Sequence, residues 1–287
     1  METIALLGLG NMGRGIAESI LRSGNKLIVW NRTYEKAKAI ISKGAVWANT
    51  PAEAVKDARY VLSMLADDNA SEAVWLGENA ALEFMQPGAF LIECSTLSYN
   101  YVSKLSSAAK SKDILYIDCP VTGIPTVAAE GKLTLLVGAA LNDLTACQHI
   151  LQLFSKTIRH FGDVGKGTCY KLVINLMGAV QIAGLAEGLA LADKLGLEKE
   201  IVIKAIENSA AASPQVVRHV RNMATKTFAE NPSFTVGLRQ KDTAYALKLS
   251  NDNNFHSKLG TAANELLEQA KQQYSDKDEA CVINVMS

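Results

Sequence analysis

The chain has 287 residues, 48% hydrophobic and 20% charged, with 29 Lys and Arg against 29 Asp and Glu. That is the composition of an ordinary globular protein of about two domains. Zero net charge argues against a nucleic-acid partner, which needs a basic face.

In chain order, Thr3 to Leu7 is a short apolar run that ends in Gly8-Leu9-Gly10-Asn11-Met12-Gly13. A helical pattern follows from Arg14 to Arg22, Ser23-Gly24-Asn25 stops it, and Lys26 to Trp30 reads as a second strand. Strand, glycine turn, helix, strand is the order of a dinucleotide-binding unit. Gly8 permits the tight turn, Gly10 lets backbone approach a pyrophosphate, and Gly13 lets helix pack on strand. The helix N-terminus adds N–H groups and partial positive charge. The second strand runs into Asn31-Arg32-Thr33, where an NAD-preferring site would usually carry Asp or Glu on the ribose 2′-hydroxyl. A guanidinium and a hydroxyl suit a 2′-phosphate instead, so the expected cofactor is NADP.

Helices are expected over Glu35 to Ser42, Pro51 to Lys56, Ser71 to Leu76, Ala80 to Met85, Tyr99 to Ser111 and Asp143 to Phe154. Strands are expected at Ala45 to Ala48, Tyr60 to Leu65, Phe90 to Cys94, Leu115 to Asp118, Lys132 to Gly138 and Thr157 to Phe161. Such alternation means a mostly parallel sheet with helices on both faces. Ligands bind such sheets beyond the carboxyl ends of the strands. That nominates Met64, Leu65 and Ala66, then Ser95 and Thr96, then Pro120 to Gly123, as pocket lining.

Gly165 to Leu195 begins with a glycine-rich turn and continues as one long helix. No residue from Leu172 to Ala186 is charged, a pattern that reads as a helix buried all round. Fifteen uncharged residues, broken by Asn175 and Gln181, read as too few and too polar for a membrane span. Lys171 and Asn175 stand one turn apart on one face. A lone helical lysine commonly snorkels to water; one buried at the start of an apolar helix would have its pKa lowered. Glu187 reads as a capping or pairing residue. Beyond Leu195 the periodicity is helical throughout: Leu197 to Asn208, Pro214 to Thr225, Val236 to Ser250 and Phe255 to Tyr274. Asp278 to Ser287 either closes on the body or frays. The architecture expected is an α/β Rossmann-type domain over residues 1–163 and an all-α domain over 164–287. They are joined by a long shared helix of about 165–195.

Five scattered cysteines form no CxxC pair, so neither a disulfide framework nor a metal site is expected, and a cytoplasmic, reducing setting fits. No basic segment precedes Ile4, so no signal peptide is expected. The four histidines fall in no nucleophile or ligand spacing. Arg218, His219 and Arg221 could meet a substrate carboxylate, but read more readily as a solvated helical face.

Four ordered motifs together resemble the β-hydroxyacid dehydrogenase family, the group of 3-hydroxyisobutyrate dehydrogenase, tartronate semialdehyde reductase and glyoxylate/succinic semialdehyde reductase. Gly8 to Gly13 is like its amino-terminal fingerprint. Asp118-Cys119-Pro120-Val121-Thr122-Gly123, with Gly131 and Leu133, is like its substrate-binding segment. Gly162 to Gly167, then Lys171 and Asn175, is like its catalytic segment, and Lys241-Asp242 is like its K-D pair near the cofactor. The resemblance implies Lys171 as general acid/base with Asn175 beside it, Ser95, Thr122 and Gly123 on a small acid substrate, and Lys241 near the cofactor. It also implies a homodimer or larger assembly through the helical domain. Thr122 stands where serine is commoner, Ile124 replaces a usual glycine, and Ala66 stands where many members have proline; these bear on the substrate. Imine reductases share the scaffold and often carry a segment like Trp30 to Thr33, but commonly put Asp or Tyr at the Lys171 position. A cofactor-binding scaffold without turnover is a third reading.

Overall fold

The computed structural model describes residues 2–78 and 80–286. The chain forms two compact units, Met1–Lys171 and Leu172–Ser287.

The first unit runs β1 (Thr3–Leu7), α1 (Asn11–Arg22), β2 (Lys26–Trp30), α2 (Lys38–Ile41), β3 (Val46–Trp47), α3 (Pro51–Val55), β4 (Tyr60–Ser63), α4 (Asp68–Trp75), β5 (Phe90–Glu93), α5 (Tyr99–Lys110), β6 (Leu115–Asp118), β7 (Val121–Thr122), α6 (Pro125–Ala129), β8 (Leu133–Gly138), α7 (Leu141–Leu151) and β9 (Ser155–Gly162). The sheet order is β3-β2-β1-β4-β5-β6-β8-β7, with β9 pairing β8. From β3 to β6 every pairing is parallel. β8 turns antiparallel to β6 and β7. The 3-2-1-4-5-6 order is that of a doubly wound nucleotide-binding sheet.

Both faces of this sheet are covered, which is why its strands are apolar without alternation. On β1, Ile4 and Leu6 join one core with Ile16 and Ile20 of α1. Ala5 and Leu7 join the opposite core with Val102 and Leu105 of α5.

The structure corrects several local expectations. The helix expected over Glu35 to Ser42 is a 3-10 turn at Tyr34–Lys36 followed by the single turn of α2. That expected over Ala80 to Met85 is a 3-10 turn, Ala81–Phe84. α4 starts three residues earlier than expected because the Asp67 side chain accepts the Ala70 N–H at 2.8 Å and caps it. β7 and α6 were not foreseen. α6 begins at Pro125, suited to a first helical position, and packs so close to α1 that a Cβ on Gly15 would stand 2.7 Å from the Ala128 Cβ.

α8 (Lys166–Lys194) carries the chain into the second unit, followed by α9 (Lys199–Glu207), α10 (Pro214–Thr225), α11 (Val236–Asp252) and α12 (Lys258–Tyr274). Their core gathers Ala179, Ile182 and Leu189 of α8 with Val220, Met223 and Leu267. α8 is not buried all round: half of its most apolar window is buried, and Val173, Met177 and Leu191 are 50%, 56% and 59% exposed. By length and composition this helix would suffice to cross a membrane, contrary to the count over Leu172 to Ala186. The two polar residues that interrupt its apolar run are matched within the protein, however, Asn175 by Asp242 and Gln181 by Ser213. Glu187 is exposed and has no partner among the described residues. The carboxyl-terminal residues close on the helices as a 3-10 turn, Glu279–Val285, whose first five residues are buried; Ser287 lies outside the described residues.

Candidate functional site

The glycine turn sits at the carboxyl end of β1. Gly8 donates its N–H to the Trp30 carbonyl at 2.9 Å. Its φ is +102°, and a Cβ there would lie 2.3 Å from the Met64 carbonyl oxygen, so only glycine fits. A Cβ on Gly13 would lie 2.1 Å from the Gly8 carbonyl oxygen, which is the close helix–strand packing such a turn requires. Beside Gly10 an added Cβ would meet nothing within 4 Å. α1 has no side-chain cap and no acid in its first turn. An open backbone approach at an uncapped N-terminus suits a pyrophosphate, so these residues fit a dinucleotide.

Asn31 braces the turn. Its Oδ1 accepts the Leu9 N–H at 2.9 Å, and its Nδ2 donates to the Thr33 carbonyl at 2.8 Å. Leu9 is therefore spoken for, its side chain in the core and its N–H on Asn31. Gly10, Asn11, Arg32 and Thr33 are exposed, and Met12 is half-buried.

At the carboxyl ends of the next strands, Met64 and Leu65 are half-buried and Ala66 is exposed. Ser95 is buried, and its Oγ accepts the Leu65 N–H at 2.7 Å. Its own N–H donates to Glu93 Oε1 at 3.0 Å, while the Ser71 hydroxyl donates to Glu93 Oε2 at 3.1 Å. Burial pushes the Glu93 carboxyl above its usual range, against these bonds. Ser95 thus links the β4 and β5 loops, with little surface left for a ligand. Thr96 and Thr122 are half-buried, and Gly123 is exposed with φ +141°. Ile124, 40% exposed, stands beside it.

Asp118 ends β6 fully buried, next to Glu93 in the strand register. Thr168 donates to it twice, from its hydroxyl at 2.6 Å and its backbone N–H at 2.8 Å. Thr168 is in the first turn of α8, so Asp118 caps that helix from another strand and supplies charge where its dipole favours it. Burial raises the Asp118 carboxyl to about 6, offset in part by the Thr168 bonds and the Gly165 N–H. Half-buried Lys171 lies on α8 three residues beyond Thr168. The approach of this helix is tight: a Cβ on Gly167 would stand 2.2 Å from the Leu136 carbonyl oxygen.

In the second unit, buried Asn175 donates from Nδ2 to Asp242 Oδ2 at 2.6 Å. Lys241 Nζ lies 3.0 Å from Asp242 Oδ1 and 5.2 Å from the Tyr245 ring centroid. His219, expected on a solvated face, is instead buried. Its Nε2 lies 3.1 Å from Glu279 Oε1, in ion-pair range without the alignment of a hydrogen bond. Arg221 does lie exposed, paired with Glu200 at 3.0 Å.

Asp118, which belongs to the segment resembling a substrate-binding one, is instead fully buried and holds α8; Thr168 and Glu93 carry no role legible in the sequence. No local pattern marks the Asp118–Thr168 bond, whose two residues lie 50 positions apart. No group of three or more His, Cys, Asp or Glu among the described residues could hold a metal ion.

The family model described as the NAD binding domain of 6-phosphogluconate dehydrogenase matches residues 3–162. That described as NAD-binding of NADP-dependent 3-hydroxyisobutyrate dehydrogenase matches residues 165–286. The uncharacterized oxidoreductase YkwC of Bacillus subtilis is 34% identical over 247 residues, which cover 86% of this chain and 85% of that protein. Glyoxylate/succinic semialdehyde reductase 1 of Arabidopsis thaliana is 30% identical over 271 residues, covering 93% and 92%. The structure of Mycobacterium tuberculosis 3-hydroxyisobutyrate dehydrogenase with L-serine superposes with a TM-score of 0.88 at 26% identity, covering 100% of this chain and 99% of that one. With the glycine turn, the 3-2-1-4-5-6 sheet and the helical second unit, these matches make the chain a member of the β-hydroxyacid dehydrogenase family, NAD(P)-binding oxidoreductases.

Proposed function

We propose that this protein interconverts a small 3-hydroxy acid, or 4-hydroxy acid, with its semialdehyde or keto acid, using NADP(H). The observation that carries this reading is the placement of Lys171 and Asn175 one turn apart on α8, a helix whose first turn is clamped by buried Asp118. The bound nicotinamide supplies or accepts the hydride. The carbonyl oxygen must then gain or lose a proton, and Lys171 handles it, as acid in reduction and base in oxidation. Asn175 steadies the same oxygen through its amide without adding charge. Thr122 and the Gly123 backbone N–H hold the substrate carboxylate, with Ser95 shaping the loop beside them. Gly10 to Gly13 cradle the pyrophosphate on the turn that Gly8 and Leu9 shape, with Met64, Leu65, Ala66, Thr96 and Lys241 as further cofactor residues. Arg32 and Thr33 meet the 2′-phosphate.

The relatives' names support a small-acid substrate: one is a glyoxylate/succinic semialdehyde reductase, and another was solved with L-serine, itself a 3-hydroxy acid. The test is a panel of small semialdehydes, 3-hydroxy acids and cyclic imines assayed with NADPH or NADP. Turnover of an acid or semialdehyde carries the reading. Turnover of cyclic imines alone moves the chain to the imine reductases, a reading that the Trp30 to Thr33 segment favours and Lys171 opposes. Binding of NADPH with no turnover makes it a scaffold. The exposed apolar stripe of Val173, Met177 and Leu191 on α8 supports a homodimer, in which a second copy covers it.

A further inference from the structure

Asn175 is held from α11 at two points. Its side chain donates to Asp242, as above. Its main-chain carbonyl accepts a second bond, from Arg239 Nη1 at 3.3 Å. Arg239 and Asp242 are three residues apart on one helix and so share a face. A helical carbonyl has two lone pairs, and the guanidinium takes the one that the helix leaves over.

Arg239 is itself buried, and a buried guanidinium needs a counter-charge. Glu279 provides it, with Oε2 accepting the Nε–H at 2.7 Å. The Phe234 ring packs against the guanidinium, 4.7 Å from centroid to Cζ. Glu279 is fully buried, and the segment that bears it is pinned to α11. Val236 donates its N–H to the Lys277 carbonyl and Gly237 to the Ser275 carbonyl, both at 2.9 Å. On the α8 side, Gly178 leaves the space into which the guanidinium reaches: a Cβ there would stand 3.0 Å from Arg239 Nη1. A buried ion pair serving stability alone needs no such gap, and does not need to end on the carbonyl of Asn175.

We propose that Arg239 is a positioning residue for Asn175, aimed by Glu279 of the carboxyl-terminal turn and admitted by the missing side chain at Gly178. This rests on the reading of Asn175 as a substrate-holding residue. The arrangement fixes Asn175 by main chain and side chain together. The amide that meets the substrate oxygen is then set before binding, and a small displacement of it is costly to rate.

The experiment is a double-mutant cycle between Gly178→Ala and Asn175→Ala in the full-length protein, with the best substrate of the panel. Gly178→Ala forces the guanidinium back by a few tenths of an ångström while raising helix propensity, so folding is not at risk. The expected result is a melting temperature at or above that of the parent, an NADPH dissociation constant within about twofold, and kcat/KM lower by about 10- to 100-fold. In the Asn175→Ala background the same change should cost nothing further, since no amide remains to be aimed. Arg239→Met should lower kcat/KM likewise, with Arg239→Lys intermediate. A Gly178→Ala enzyme with parental kcat/KM, or a loss that persists undiminished in the Asn175→Ala background, overturns the proposal while leaving the reading of Asn175 intact. Parental kcat/KM in Asn175→Ala alone overturns both.

Discussion

Asp118 holds Thr168 by both carboxylate oxygens, across 50 positions of sequence. The bond ties the end of β6 to the first turn of the helix that carries Lys171. Its cost is a carboxylate with no access to water, whose pKa rises from 3.8 to about 6. A raised acid binds its proton more tightly folded than unfolded. Its stabilising contribution is fully present below 3.8 and is lost as pH rises through about 6. The shift corresponds to about 3 kcal/mol, as an order of magnitude. Asp118→Asn removes this titration. Denaturant unfolding of both proteins across that window should show the variant gaining on the parent by about this amount as pH rises. A constant gap would mean that Asp118 titrates normally.

Glu279 should behave with the opposite sign. Burial alone would raise its carboxyl, but His219 and Arg239 outweigh burial and hold it below 4.5. Its contribution is present above 4.5 and is lost as pH falls through the depressed folded value. Glu279→Gln leaves Arg239 buried without a counter-charge, which should cost about 3–5 kcal/mol at neutral pH. The deficit should narrow as the parent is acidified below 4.5. Calorimetry or urea unfolding at neutral and acidic pH checks both, and a deficit indifferent to pH would refute the pairing.

These two acids also mark where the sequence stops being legible. The glycine turn, the alternation of strands with helices and the four helices after Gly196 follow from local rules, since turn chemistry and periodicity are written in neighbouring residues; the order of the strands in the sheet does not. Asp118 with Thr168, and Glu279 with Arg239 40 positions away, are pairings made only by the fold. The α8 exposure was illegible for a different reason. A helix apolar on all sides has no periodic minimum to show which stripe its own chain leaves uncovered. Likewise β7 and α6 are too short, at 2 and 5 residues, for any pattern to emerge.

The proposed preference for NADP(H) should lie in Arg32, which is exposed just beyond the end of β2 with no partner among the described residues. A charge-assisted contact to the 2′-phosphate is worth about 1.5–3 kcal/mol, on the order of tenfold to a hundredfold in preference. Arg32→Asp should erase or reverse it, judged by the ratio of kcat/KM for the two cofactors. Equal kcat/KM for NADP(H) and NAD(H) in the parent would remove the premise.

The stripe of Val173, Met177 and Leu191 should be an interface between copies. Light scattering should give about twice the 30.8 kDa chain mass or a higher multiple, as closed symmetry favours. Val173→Arg with Met177→Arg puts two like charges onto that face and should return the protein to a monomer. A monomeric mass for the parent at micromolar concentration would end the argument.

The chemistry should depend on Lys171. It is half-buried at the start of α8, the helix whose first turn Asp118 holds, and a lysine there can give or take the proton that accompanies hydride transfer. Lys171→Ala should leave NADPH binding nearly intact, because the proposed dinucleotide contacts are the glycine turn and Arg32. It should lower kcat by about 10²- to 10⁴-fold, the usual worth of general acid–base help. Fluorescence titration with NADPH and steady-state kinetics on the one variant measure both quantities. Turnover of the best semialdehyde within a few-fold of the parent would make Lys171 structural, and the imine-reductase and scaffold readings would then take precedence.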